Sequence, residues 1–292
     1  MRVFVTGATG FIGSKVVEEL KKAGHQILGL ARSETGAASL VAAGAQVHRG
    51  DVEDLDSLRS GATQAEGVIH CAFNHDFSKF VANCEADRRA IEALSNALAG
   101  SDRPLIVTSG TGSSRTPGRL VTENDPPPPS SVHPRGASEE AAQASVARGV
   151  RTLVVRLPQV HDPEKQGLIT YLVTLAREKG VSAYVGDGQN RWAAVHRLAA
   201  AQLYRLVLEK GWAGARYNAV AEEGVPFKDI AEAIGKRIKV PVVAKSAADA
   251  PAHFGWLAGF VGLDLSASSA QTQKQLGWRP IGPGLIEDIV AG

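Results

Sequence analysis

Sulfur and aromatic rings are both scarce in this chain. Of 292 residues, two are cysteine, one is methionine and 5% are aromatic. Two cysteines, Cys71 and Cys84, exclude a disulfide scaffold, and with no CxxC pair they give no metal-site spacing. Cys71 follows an apolar run and reads as a small core residue. No apolar run approaches the ~20 residues needed to cross a bilayer, so no membrane partner is expected. Charge of one sign is missing too. The 32 basic residues meet 30 acidic ones for a net charge of +2, which argues against a nucleic-acid surface. Short clusters such as Lys21-Lys22, Arg88-Arg89 and Lys236-Arg237 read as solvated helix faces. The opening "MRVFVTG" enters a strand without a charged and then apolar leader, so the cytoplasm is the expected location.

What is present is alternation. The β-branched runs "RVFVTG", "QILGLA", "QVHRGD", "GVIHCAF", "LIVTSG" and "TLVVRLP" are separated by stretches with helical spacing. These are residues 12–23, 33–43, 54–59, 81–98 and 138–147. Strands alternating with helices predict right-handed crossovers and a parallel sheet. The runs are apolar at successive positions, as expected when helices cover both faces. The rhythm breaks at "TENDPPPPSSVHPRG". Its prolines, Pro126 to Pro129, exclude helix and central strand. Two readings stand for this loop: a ligand-binding segment at the carboxyl ends of the strands, or a rigid spacer. Further on, residues 167–180 and 198–211 read as helices, 215–221 as a strand, and 226–238 and 246–262 as helical. "SAYVGDGQNRWAAVHR" reads as a hairpin or extended loop.

The most informative stretch is "VFVTGATGFIGSKVVEEL". Gly7, Gly10 and Gly13 lie between the first strand and an amphipathic helix. The first glycine permits a tight turn, the second lets a pyrophosphate approach the backbone, and the third lets helix and strand pack closely. The spacing is GxxGxxG, and its place after the first strand makes dinucleotide binding the expectation. The fold class is therefore α/β, a Rossmann-type doubly wound parallel sheet. Its expected domain covers 1–160, with 195–220 returning to it. A small substrate lobe is expected from 161–194 and 221–292. An NAD site places a carboxylate about 20 residues beyond the glycines for the ribose 2′-hydroxyl. Here "LGLARSE" has Arg32 and Ser33 instead, which suit a 2′-phosphate. NADP(H) is thus favoured over NAD(H).

At this point the chain resembles the extended and atypical branches of the short-chain dehydrogenase/reductase superfamily, the NAD-dependent epimerase/dehydratase-like group. "TGATGFIG" is similar to its fingerprint, which implicates Gly7, Thr9, Gly10, Phe11, Ile12 and Gly13. The resemblance further implies that Asp51 and Val52 touch adenine. Cys71, Ala72, Phe73 and Thr108 would line the cofactor, and Leu157, Pro158 and Val160 would flank the nicotinamide. "LIVTSG" carries the family's active-site serine position, Ser109. The resemblance covers most of the chain and fades over the final third.

The departure is "HPRGASEEAA". It aligns with the family's "YGASK" segment, with Arg135 in the tyrosine place and Glu139 in the lysine place. None of the residues four beyond Tyr171, Tyr184, Tyr204 or Tyr217 is lysine. Arginine cannot act as the general acid, because its pKa exceeds ~12, although Arg135 can polarise a carbonyl as a fixed cation. Glu139 can accept from ribose hydroxyls. The proton carriers to consider are His133, His75 and Ser109. His161 either lines the nicotinamide side or caps a strand. Trp192, His196, Phe254 and Trp256 form substrate walls or core.

Three functions follow. The expected one is an NADP(H)-dependent oxidoreductase on a small carbonyl or hydroxyl compound with a non-standard proton donor. The second is an NADP(H)-binding regulator or sensor without turnover. The third is a sugar-nucleotide epimerase or dehydratase, which the missing tyrosine disfavours. The resemblance names helices 81–98 and 138–147 as the surface of a homodimer, if one forms. No metal is expected.

Overall fold

The computed structural model describes residues 1–112 and 118–292. The chain begins β1 (Arg2–Thr6), α1 (Gly13–Lys22), β2 (Gln26–Ala31), α2 (Glu34–Ala42), β3 (Gln46–Arg49), α3 (Leu55–Thr63), β4 (Gly67–His70) and α4 (Phe80–Leu98). It continues with β5 (Leu105–Gly110), α5 (Gly136–Ala147), β6 (Thr152–Leu157), β7 (Gln159–His161), α6 (Ile169–Lys179), β8 (Ser182–Val185), β9 (Arg191–His196) and α7 (Arg197–Lys210). It ends with β10 (Arg216–Asn218), β11 (Glu222–Pro226), α8 (Phe227–Ile238), β12 (Val242–Lys245), α9 (Ala250–Phe254), α10 (Ala258–Val261), α11 (Ala270–Leu276) and α12 (Leu285–Ala291).

Seven parallel strands form one sheet in the order β10-β6-β5-β4-β1-β2-β3. The chain starts mid-sheet, runs to one edge at β3, and returns to the other side of β1 at β4. That reversal opens a crevice at the carboxyl ends of β1 and β4, where doubly wound sheets hold ligands. The strands carry apolar residues on both faces because both are covered. Val16, Val17 and Leu20 of α1 and Leu203, Tyr204 and Val207 of α7 pack on one face, with Trp278 sealing it. Leu58 of α3, Ile91 and Leu94 of α4 and Ala141 of α5 pack on the other.

Local chemistry sets the helix ends. Ser33 caps α2 by accepting from the Gly36 amide, and Asp54 caps α3 by accepting from Asp56 and Ser57. Lys21 and Lys22 end α1, where they complement the helix dipole.

A second apolar core joins α6, α8, α9 and α12 through Leu172, Ile230, Phe254 and Ile289. Two small sheets serve it, β11-β9-β7 and β12-β8. "SAYVGDGQNRWAAVHR" is therefore not a hairpin. Its halves belong to different sheets, β8 pairing with the distant β12 and β9 with β7 and β11. The glycines between them turn the chain from one sheet to the other. Trp192 and Phe254 are buried in this core, whereas Trp256 is half-exposed.

Candidate functional site

The glycine-rich turn is built around close approaches. Gly7 has φ +66°, and a Cβ there would sit 2.7 Å from the Ala72 amide nitrogen. A Cβ on Gly13 would lie 2.0 Å from the Gly7 carbonyl oxygen. Helix α1 starts without a side-chain cap. Among the described residues the amides of Phe11, Ile12 and Gly13 have no hydrogen-bond acceptor. Free N–H groups at a helix start, with glycines clearing the approach, fit a pyrophosphate. Lys165 and Arg197 add positive charge here. Their cationic groups lie 5.6 and 4.9 Å from the Phe11 ring centroid. Asp162 holds both, bonding Arg197 Nε at 2.6 Å and accepting from the Lys165 amide at 2.9 Å.

At the far end of the crevice, Arg32 follows β2 with its side chain largely in solvent. Its guanidinium is 3.8 Å from Asp51, which follows β3. The Ser33 hydroxyl accepts from Gly36, so its oxygen is partly spent on the cap. Among the described residues its hydrogen has no acceptor.

On the opposite side, β4 delivers Cys71, Ala72 and Phe73. The Thr108 hydroxyl donates to the His70 carbonyl at 2.7 Å and bonds the Tyr204 hydroxyl at 2.6 Å. Burial pushes the Cys71 thiol up to about 12, against hydrogen bonds with Thr108 and Tyr204, so it stays a thiol. Leu157 ends β6 and Pro158 follows it, and Val160 and His161 lie on β7. His161 is fully buried. Its Nδ1 bonds Asp288 at 2.6 Å, and His196 Nε2 is 3.9 Å from the same carboxylate. That contact ties β7 to α12.

The altered segment is a lock. Arg135 Nη1 donates to Asp87 at 2.5 Å and also contacts Ser138, and Nη2 donates to the Thr108 carbonyl at 2.9 Å. The Ser138 hydroxyl donates to Asp87 at 2.5 Å, and His70 Nε2 bonds its other oxygen at 2.9 Å. Thr6 and His70 Nδ1 hydrogen-bond at 2.7 Å. Burial opposes ionisation of Asp87, but the Arg135 charge and the bonds from His70 and Ser138 outweigh it. They hold the carboxyl well below the usual range. One buried carboxylate thus links β1, β4, β5, α4 and α5.

Glu139 is engaged by two arginines. Its carboxylate takes Arg156 Nε and Nη2 at 2.8 Å each, and Arg216 Nε at 3.0 Å. Both carboxylate oxygens therefore already accept from arginine. The two arginines come from β6 and β10, strands on its own side of the sheet. Spacing within α5 shows none of this. Asp87, Arg156 and Arg216 were missed because their partners are remote in sequence. The one available signal was charged residues within apolar strand and helix faces.

A cavity of about 400 Å³ opens at the carboxyl end of β5. Ser109, His133 and Arg135 line it, together with Pro126 to Pro129 and Arg156. The proline-rich loop therefore walls a cavity. The glycine-turn residues and His75 lie outside its lining. His133 also meets the Phe80 ring at 6.3 Å between centroids, and Arg135 lies 4.2 Å over the Phe73 ring. Partial burial, then the Arg135 charge, lowers the His133 pKa. Burial lowers His75 as well, with the Lys165 and Arg135 charges adding to it and a Phe73 backbone hydrogen bond opposing. Both shifts favour the neutral imidazole.

Residues 3–219 match the model of the NAD dependent epimerase/dehydratase family. The chain belongs to this family. It is 47% identical to an uncharacterized protein of Schizosaccharomyces pombe, over all of this chain and 99% of that protein. It is 28% identical to the decarboxylating sterol-4-alpha-carboxylate 3-dehydrogenase of Dictyostelium discoideum, over 72% of this chain and 68% of that enzyme. The fold is similar to that of the UDP-glucose 4-epimerase of Thermus thermophilus, solved with NAD. The TM-score is 0.77 at 21% identity, covering all of this chain and 97% of the other. The family binds nicotinamide dinucleotides, and the glycine turn fits that group. No helix among the described residues is long and apolar enough to cross a membrane.

Proposed function

We propose that this protein is an NADP(H)-dependent oxidoreductase interconverting a small carbonyl compound and its alcohol, with His133 as the proton carrier. The observation that carries the reading is the convergence of Ser109, His133 and Arg135 on one cavity at the carboxyl end of β5. When bound, NADP(H) supplies the two-electron redox change at the substrate carbon. Phe11, Ile12 and Gly13 hold its pyrophosphate through their amides, and Arg32 its 2′-phosphate. Neutral His133 takes the hydroxyl proton in the oxidative direction and, once protonated, returns it to the carbonyl oxygen in the reductive one. Ser109 hydrogen-bonds that oxygen. Arg135, pinned by Asp87 and the Thr108 carbonyl, is a fixed positive pole beside it.

The dehydrogenase relative supports the reaction class. A second reading, a nucleotide sensor without turnover, is favoured by one observation. Both altered positions of the α5 segment are occupied by structural ion pairs, Arg135–Asp87 and Glu139–Arg156. NADPH oxidation against a panel of aldehydes and ketones separates the two. Consumption that His133→Ala removes, with NADPH affinity unchanged, supports the oxidoreductase. Tight NADPH binding with no consumption on any carbonyl supports the sensor.

A further inference from the structure

In a chain with so few aromatic residues, six form one patch. Phe77, between β4 and α4, stacks on Trp256 at 4.8 Å and 15° between planes. Tyr171 of α6 stands edge-on to both, at 6.2 and 5.4 Å. Phe260 meets Trp256 at 6.2 Å, and Phe80 meets Phe77 at 5.9 Å. Phe73 closes the row, 6.4 Å from Phe80. The patch joins the seven-stranded domain to the second core.

Two of these rings are not ordinary core. Trp192 and Trp278 are 0% exposed, whereas Trp256 is 47% and Tyr171 41% exposed. Contiguous apolar surface left in water beside polar groups marks a place for a ligand. The patch also runs directly to the polar groups of the site. Phe80 touches His133 and Phe73 carries the Arg135 guanidinium. Its far end leaves the outer edges of Trp256 and Tyr171 in water, and its near end holds a proton carrier and a fixed cation.

We propose that this patch is the wall that selects the substrate, and that the substrate is a flat aromatic carbonyl compound or its alcohol. Its ring rests on the exposed edge of the Trp256–Phe77 pair, and its oxygen points to His133 and Arg135. This rests on the oxidoreductase reading above. An aromatic ring on this wall gains offset or edge-on contacts beyond its buried area, which a saturated ring of equal size forfeits.

The test is titration of the NADP⁺-loaded protein with 2-acetonaphthone and with its fully saturated decalin analogue, followed by calorimetry. Trp256→Ala and Trp256→Phe serve as variants. Trp256 is half-exposed, so neither threatens the fold. The wild type is expected to bind the aromatic ketone about tenfold more tightly. Trp256→Ala removes that preference, Trp256→Phe keeps most of it, and the nucleotide affinity is unchanged. Equal affinity for both ketones in the wild type, or an unchanged preference in Trp256→Ala, overturns the proposal. So does light scattering that shows a dimer dissociated by Trp256→Ala, which would make the patch a subunit interface. Selective binding without NADPH-linked turnover upholds the wall and overturns the oxidoreductase reading instead. Turnover without aromatic preference does the reverse.

Discussion

Arg156 and Glu139 face each other as a buried bidentate pair, with Arg156 Nε and Nη2 each donating at 2.8 Å. Both have left water, so the pair is stable only while both partners remain. Glu139→Gln leaves Arg156 and Arg216 under-compensated and is expected to cost about 3–5 kcal/mol. Urea unfolding monitored by circular dichroism measures this. Glu139→Lys, which would restore the lysine of the familiar segment, sets three cations together and is expected to destabilise further.

Asp87 makes the fold acid-sensitive. Its folded pKa lies below the unfolded value of about 4. Its stabilisation is complete above that value and is lost as pH falls from there toward the folded pKa. The melting temperature is expected to fall steeply below about pH 4. Asp87→Asn should lower it at pH 7 and make the acid limb shallower.

Gly13→Ala should abolish nucleotide binding, because the new Cβ would lie 2.0 Å from the Gly7 carbonyl oxygen. The turn must open to admit it. Calorimetry with NADPH should detect no binding, with a thermal melt confirming that the rest of the chain folds.

Arg32→Ala separates the two cofactors. A charge-assisted contact to a 2′-phosphate contributes roughly 1.5–3 kcal/mol. The affinity for NADPH should therefore drop about 10- to 100-fold, with the affinity for NADH nearly unchanged. Equal losses for both cofactors would remove the argument for NADP(H).

Much of this architecture is legible along the chain, where the information is local. The strand runs of β1 to β6, the glycine turn and the helices between them follow from periodicity and turn chemistry. Pro126 to Pro129 mark a loop by what proline forbids. What stayed hidden depends on remote partners. β8 looks like half of a hairpin until β12, far along the chain, pairs with it. Glu139 looks free for a ribose until Arg156 and Arg216 close on it. The wall of Phe77, Tyr171 and Trp256 comes from three separate segments and has no periodicity of its own.

The most direct measurement is the pH dependence of NADPH-linked carbonyl reduction in the wild type and in His133→Ala, with NADPH affinity determined alongside. Because the His133 pKa is lowered, reduction should be fastest at acidic pH and decline as pH rises through that value. Oxidation of the alcohol should show the opposite slope. His133→Ala should lose at least about 100-fold in kcat, consistent with the usual contribution of general acid–base catalysis. It should also lose both slopes and keep its NADPH affinity. Turnover that survives in His133→Ala with its pH profile intact would contradict the account.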